Sequence, residues 1–222
     1  MTDKYEITDI SYPGAPYLHR IRALRDIPRI GVKAGDLGGY IEKESNLSQP
    51  GDAWVSGDAI VFGDARVSGC AWVLNYARVS GRAQVFGDAQ VSGHAQVHGS
   101  AWVDEAARVS DKAEVCGNAE ICGCAWVFGD ARVSDAGEVL HSYVMGSGLL
   151  PATLYRTTGG HTLHVGCWSG TVPEFRTMIE SDQWVEATPD QIELRRPEML
   201  AFAAMCEARI ATWDETEKGR KE

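Results

Sequence analysis

The sequence predicts a mainly β protein built on a single-stranded parallel β-helix, with a β cap before it and a small α+β module after it. Three observations predict this. Over residues 53–142 the chain repeats one six-residue phrase, Ala-x-Val-x-Gly-x, fifteen times with no insertion or deletion. Within each phrase, small or β-branched positions alternate with freely varying ones, which is the pattern of a short strand with one buried face. Glycine recurs at the fifth slot, where a turn leaves no room for a Cβ. The resulting division is a cap over 1–46, the repeat region over 47–142 and a C-terminal module over 143–222.

In the cap, residues 5–11 and 17–24 read as two strands joined through Pro13-Gly14-Ala15-Pro16, a turn signal. A glycine-rich run over 32–41 leads to Asn46-Leu47-Ser48, and residues 47–52 form a degenerate first phrase with Pro50-Gly51 in its turn. Arg20, Arg22 and Arg25 invite a phosphate-binding reading. Alternating arginines on an edge strand are also a common guard against unwanted strand pairing.

In the repeat, the first slot is alanine from Ala53 to Ala131 and lapses to Gly137. The third slot is valine from Val55 to Val139, with Ile121 the one exception. Glycine in the fifth slot gives way at Asn75, Glu105, Asp111 and Asp135. Valine suits a pleated, buried wall, and alanine suits a corner with space for a methyl only. Three such strands close a coil of eighteen residues, so the region holds about five to six coils. Parallel stacking at roughly 4.8 Å per rung makes five coils a rod of about 24 Å. Each repeat buries its apolar side only against its neighbours, so both ends need caps.

Residues eighteen apart stack. One face carries Trp54, Trp72, Gln90, Arg108 and Trp126, with Phe128 beside the last. A second carries Ile60, Arg78, Gln96/His98, Glu114/Cys116 and Arg132, and a third carries Arg66, Gln84/Phe86, Trp102, Glu120 and Glu138. Three of the four tryptophans in the rod lie on the first face. An aromatic stripe of that size needs cover, from the terminal segments or from another subunit.

After Ser142 the period stops. Gly159-Gly160 joins two strands into a hairpin, and Thr171-Val172-Pro173-Glu174 is a capping box that opens a helix presenting Phe175, Met178 and Ile179. Thr188-Pro189-Asp190-Gln191 opens another helix, which Pro197 restarts or kinks. Met199, Phe202, Ala203, Cys206, Ile210 and Trp213 form one apolar stripe along it, and residues 215–222 read as a charged, frayed tail.

Read from its third slot, the phrase becomes Val-Ser-Gly-Asp-Ala-Arg, which resembles the hexapeptide repeat of left-handed parallel β-helices. The runs over 19–26, 33–39 and 45–48, together with Gly166-Cys167-Trp168-Ser169-Gly170-Thr171, extend the likeness to most of the chain. In these runs the chain is similar to a group of bacteriophage and prophage proteins often labelled hexapeptide transferases. That resemblance implies a left-handed helix, a trimer and a phage-type accessory role, with no catalytic residues assigned. The repeat itself is shared by acyltransferases, nucleotidyltransferase appendages, γ-type carbonic anhydrases and non-enzymes.

The formal charge of −10 is spread along the chain, with no basic patch, so direct nucleic-acid binding is not expected. An acidic rod can mimic DNA toward a DNA-handling protein, but ordinary acidic solubility is the favoured account of the charge. No signal peptide or membrane-spanning run is present, and six cysteines make no small secreted framework. A soluble, cytoplasmic protein with reduced thiols is the expectation. An acyltransferase would need a histidine base at a subunit cleft; His98 and then His94 are the candidates, with His141 the other histidine of the repeat. The unbroken register leaves no loop to build a substrate pocket. The His98/Cys116 and Asp104/Cys122 pairs fall on different faces, and in His161-x-x-His164-x-x-Cys167 the ligand types point apart, so no metal or cofactor is assigned. Trp54, Trp72, Trp126, Phe128 and Arg108 are the candidate binding residues. The expected role is a non-catalytic interaction protein, homo-oligomeric, for a host protein or a nucleotide-like ligand. The rival readings are an acyl-CoA-dependent acyltransferase and a virion component.

Overall fold

The computed structural model describes residues 3–145, 149–181 and 188–219, which fall into two compact units divided between Ala136 and Gly137. The first unit is a parallel β-solenoid. Most phrases contribute a two-residue strand, and strands eighteen residues apart pair in parallel: Trp54 with Trp72, Gln96 with Glu114, Trp102 with Glu120. The first face stacks five rungs in this way. Backbone bonds run from coil to coil, as from Trp54 N to Ala71 O (3.0 Å) and from Ser56 N to Val73 O (2.8 Å). The alanine and valine slots are buried throughout the coils, so the interior is a column of methyl and isopropyl groups. At the corners the fifth slot takes a left-handed conformation. Asn75, Glu105 and Asp111 adopt it too, at φ of 64°, 55° and 58°. Such angles are uncommon outside glycine, and asparagine and aspartate tolerate them best.

The ladder ends sooner than the phrase does. Val139 does not stack on Ile121; it pairs antiparallel with Tyr155, in a strand, Val139–Met145, that belongs to the second unit. Seven registered pairs with the strand Leu149–Thr157 hold it there. Gly137 in the alanine slot and Asp135 in the glycine slot are the departures in sequence that accompany the break.

The cap consists of β1 (Tyr5–Tyr12), β2 (Ala15–Ala23) and β3 (Leu37–Ile41). β1 and β2 form a hairpin, β2 pairs antiparallel with β3, and β3 pairs in parallel with Ile60–Val61. The cap therefore continues the second face as one eight-stranded sheet. A Cβ on Gly38 would come within 2.6 Å of both Ile21 Cγ1 and Val55 O, so glycine allows β3 to lie against the first coil. Leu47 bridges Val67, as expected of a degenerate phrase. Two buried polar side chains complete this end. Asn46 Nδ2 donates to Gly63 O and Ala65 O, and Lys4 Nζ donates to Ser48 O. They satisfy backbone carbonyls that have no further coil to pair with.

In the second unit, four antiparallel strands, Val139–Met145, Leu149–Thr157, Gly160–Val165 and Trp168–Gly170, precede helices α1 (Val172–Glu180) and α2 (Pro189–Gly219). The capping box is present: Thr171 Oγ1 accepts from Glu174 N, and Glu174 Oε2 accepts from Thr171 N at 2.7 Å. Phe175 and Ile179 of α1 pack with Leu154, Leu163, Phe202, Cys206 and Trp213 in one core. α2 does not restart at Pro197 but runs through it as one helix of 31 residues. The apolar stripe from Met199 to Trp213 supplies packing that outweighs the one backbone bond proline cannot make. The reading of 215–222 as frayed meets helical backbone as far as Gly219; residues 220–222 lie outside the described residues.

Candidate functional site

The second face brings together the densest group of reactive side chains. Val97 and Val115 point inward and fix the register, so His98 and Cys116 point outward on adjacent rungs. Glu114 lies two residues before Cys116 on the same strand and so on the same face. His98 Nε2 and Glu114 Oε1 are 3.1 Å apart, while Glu114 Oε2 is 3.4 Å from Arg132 Nε one rung further on. One donor atom each from His98, Glu114 and Cys116 lie within 4.8 Å of one another. All three residues are half-buried. Pairing His98 with Cys116 by the period of eighteen leaves out Glu114, which the alternation within its own strand brings to the same place.

His94 is elsewhere. It sits at a corner of the coil and stacks on Tyr76, centroids 4.9 Å apart and planes 6° from parallel. His141 lies in the second unit, its Nδ1 3.3 Å from Thr153 Oγ1. In the His161-x-x-His164-x-x-Cys167 stretch, His161 Nε2 accepts from Val172 N (3.1 Å) at the start of α1. His164 is buried and its pKa is lowered by that burial, while Cys167 is exposed.

The first face carries a broken stripe. Trp54 is 1% exposed, with Tyr5 edge-on to it at 6.5 Å, so the cap provides the cover that the stripe needed at this end. Trp72 is half-buried, its Nε1 shielded and without a hydrogen bond. Gln90 follows, and then Arg108 beside Trp126. Trp126 is 38% exposed and packs on Phe128 with centroids 5.0 Å apart. Arg108 is exposed, and among the described residues no carboxylate pairs with it. Arg108, Trp126 and Phe128 thus make an accessible patch that Trp54 cannot join.

On the third face Trp102, 46% exposed, meets Phe86 edge-on at 5.8 Å. The stacking of equal slots does not reveal this contact, because it crosses diagonally between rungs. At the cap end of the same face, a polar groove of about 600 Å³ is lined by Glu44, Ser48, Gln49, Arg66, Ser68 and Gln84. Among the described residues no helix is long and apolar enough to cross a membrane. Compared with known proteins, the chain matches no family model and no curated protein.

Proposed function

We propose that this is a non-catalytic, phage-type accessory protein that binds a host protein or a small nucleotide-like signalling ligand on the outer faces of a left-handed solenoid. It works in the host cytoplasm as a homo-oligomer, with a trimer favoured, in a counter-defence or host-regulation role. The observation that carries this reading is the patch of Arg108, Trp126 and Phe128: an exposed indole packed on a half-buried phenyl ring, beside an exposed guanidinium that pairs with no carboxylate among the described residues. Rings offer stacking to a planar group, and arginine offers bidentate contact to a phosphate or carboxylate.

Native mass spectrometry on protein purified gently from expressing cells tests it. A closed oligomer carrying a nucleotide-sized mass, or bringing down one host protein, supports the reading, provided that Trp126→Ala or Arg108→Ala releases the bound species. A bare particle whose behaviour is unchanged in both variants overturns it.

A second reading is an acyltransferase that uses acyl-CoA at a trimer interface with His98 as base. It draws on the His98–Glu114 contact at 3.1 Å, since a carboxylate bonded to one ring nitrogen orients the imidazole for proton transfer at the other. It requires saturable acyl-CoA binding and turnover that disappears in His98→Ala. A virion component assembling end to end is less well supported, because Lys4 and Asn46 already occupy the carbonyls at the cap end.

A further inference from the structure

We propose that His98, Glu114 and Cys116 form a binding site for a zinc-type divalent ion on the outer wall of the solenoid. The three residues offer one nitrogen, one oxygen and one sulfur, and their donor atoms lie within 4.8 Å of one another. Around a tetrahedral ion with Zn–N and Zn–O near 2.0–2.2 Å and Zn–S near 2.3 Å, donors stand about 3.3–3.8 Å apart. The His98–Glu114 pair, at 3.1 Å, is already close to that spacing. Rotation about side-chain bonds on a rigid, paired backbone covers the rest. Both strands pair in parallel on each side, with a register shift just after Val115 toward the following rung, so the ligands are carried by the scaffold and not by a loop.

The donor set selects the ion. A thiolate with an imidazole favours zinc and its neighbours in the transition series, whereas magnesium and calcium require oxygen donors in larger number. Arg132 holds the second carboxylate oxygen of Glu114 at 3.4 Å, which leaves Oε1 directed at His98. Such partners of a ligand orient it, and their loss typically weakens metal binding about 10–100-fold. On binding, the Cys116 thiol gives its proton to solvent and the imidazole keeps its own on Nδ1, leaving the Nε2 lone pair for the metal. Three protein ligands leave a fourth position to water. Metal at this site and a general-base role for His98 exclude one another, because metal on Nε2 replaces the Nε2–Glu114 contact on which the base depends.

Serine occupies the equivalent outward position on the rungs that flank the His98/Cys116 pair, at Ser80 and Ser134, so Cys116→Ser should leave the coil intact. The experiment is a titration of the reduced full chain with Co(II), followed by displacement with Zn(II). The expected result is one Co(II) per chain with a thiolate-to-cobalt charge-transfer band. The band should vanish in Cys116→Ser and survive in a Cys122→Ser/Cys124→Ser double variant. Glu114→Gln and His98→Ala should each weaken binding at least tenfold, about the least that losing a partner of a ligand costs, with unchanged far-ultraviolet circular dichroism. No band at stoichiometric Co(II), or a band that persists in Cys116→Ser, overturns the proposal.

Discussion

Lys4 Nζ lies 2.7 Å from the carbonyl oxygen of Ala53, the residue that opens the first regular phrase. A lysine from the start of the chain thus ties down the exposed edge of the first coil. Burial, with Arg25 nearby, lowers its pKa from 10.5 to about 8. The folded protein therefore holds this proton less tightly than the unfolded chain, and stability rises as the pH climbs from about 8 toward 10.5. Complete release of the penalty amounts to roughly 3 kcal/mol. Tyr5 opposes this above its ordinary 10.0, since burial raises its pKa and the unfolded chain ionises first. Between pH 8 and 10 the denaturant midpoint of the native chain should rise relative to that of Lys4→Met. The variant's own midpoint should fall as Cys206, its thiol pushed up by burial from 9.0 to about 12, and Tyr5 ionise first in the unfolded chain.

Val91 is fully buried between Val73 and Val109. Aspartate there would bury a charge with no partner, at about 3–5 kcal/mol, and the soluble, folded fraction should fall sharply. Gln90→Asp, one residue away and facing outward, should move the melting curve little. Equal effects at both positions would mean that the inward and outward slots are misassigned.

Gly99 has φ of +70°, and a Cβ there would stand 2.8 Å from Gly117 N. Alanine meets both a left-handed backbone and a clash with the next coil, so Gly99→Ala should cost about 1–2 kcal/mol or more. Asn75→Gly, at the same slot of the phrase four phrases earlier, relieves the φ at some entropic cost and should change stability by less than about 0.5 kcal/mol. Thermal melts of the two variants side by side decide this.

In the second unit, Thr171→Ala removes the acceptor for Glu174 N and should destabilise the start of α1 by about 1 kcal/mol. The Thr171 N–H and hydroxyl hold the Glu174 carboxyl below its usual range, so the cap persists into mild acid. Hydrogen exchange at residues 172–175 reads out the change.

Much of the solenoid was legible because an unbroken period fixes register without knowledge of any partner. Val91 and Val109 are identified by counting alone, and Leu47 shows that even a degenerate phrase can be placed. The counting fails where another force competes. Residues 137–142 keep the valine of the phrase but neither its alanine nor its glycine, and Val139 joins a longer antiparallel strand, which period alone does not foresee. Trp54 and Trp126 occupy equivalent slots and meet opposite fates, because only one lies under the cap hairpin. Pro197 is a strong local stop signal that the packing of one side of α2 overrides. At the candidate metal site, His98 and Cys116 follow from the eighteen-residue spacing, whereas Glu114 needed two periods read together, eighteen along the rod and two along the strand.

The three-faced coil also works as an indexing wheel. Removing one phrase of six would leave every valine facing the axis and the interior unchanged, yet each later residue would advance by one face. A phrase removed between His98 and Glu114 would take Glu114 off the wall that carries His98, and one removed between Glu114 and Trp126 would take Trp126 off the wall that carries Arg108. Only a whole revolution of eighteen restores both alignments, so the interior tolerates length changes in sixes while the surface chemistry tolerates them only in eighteens.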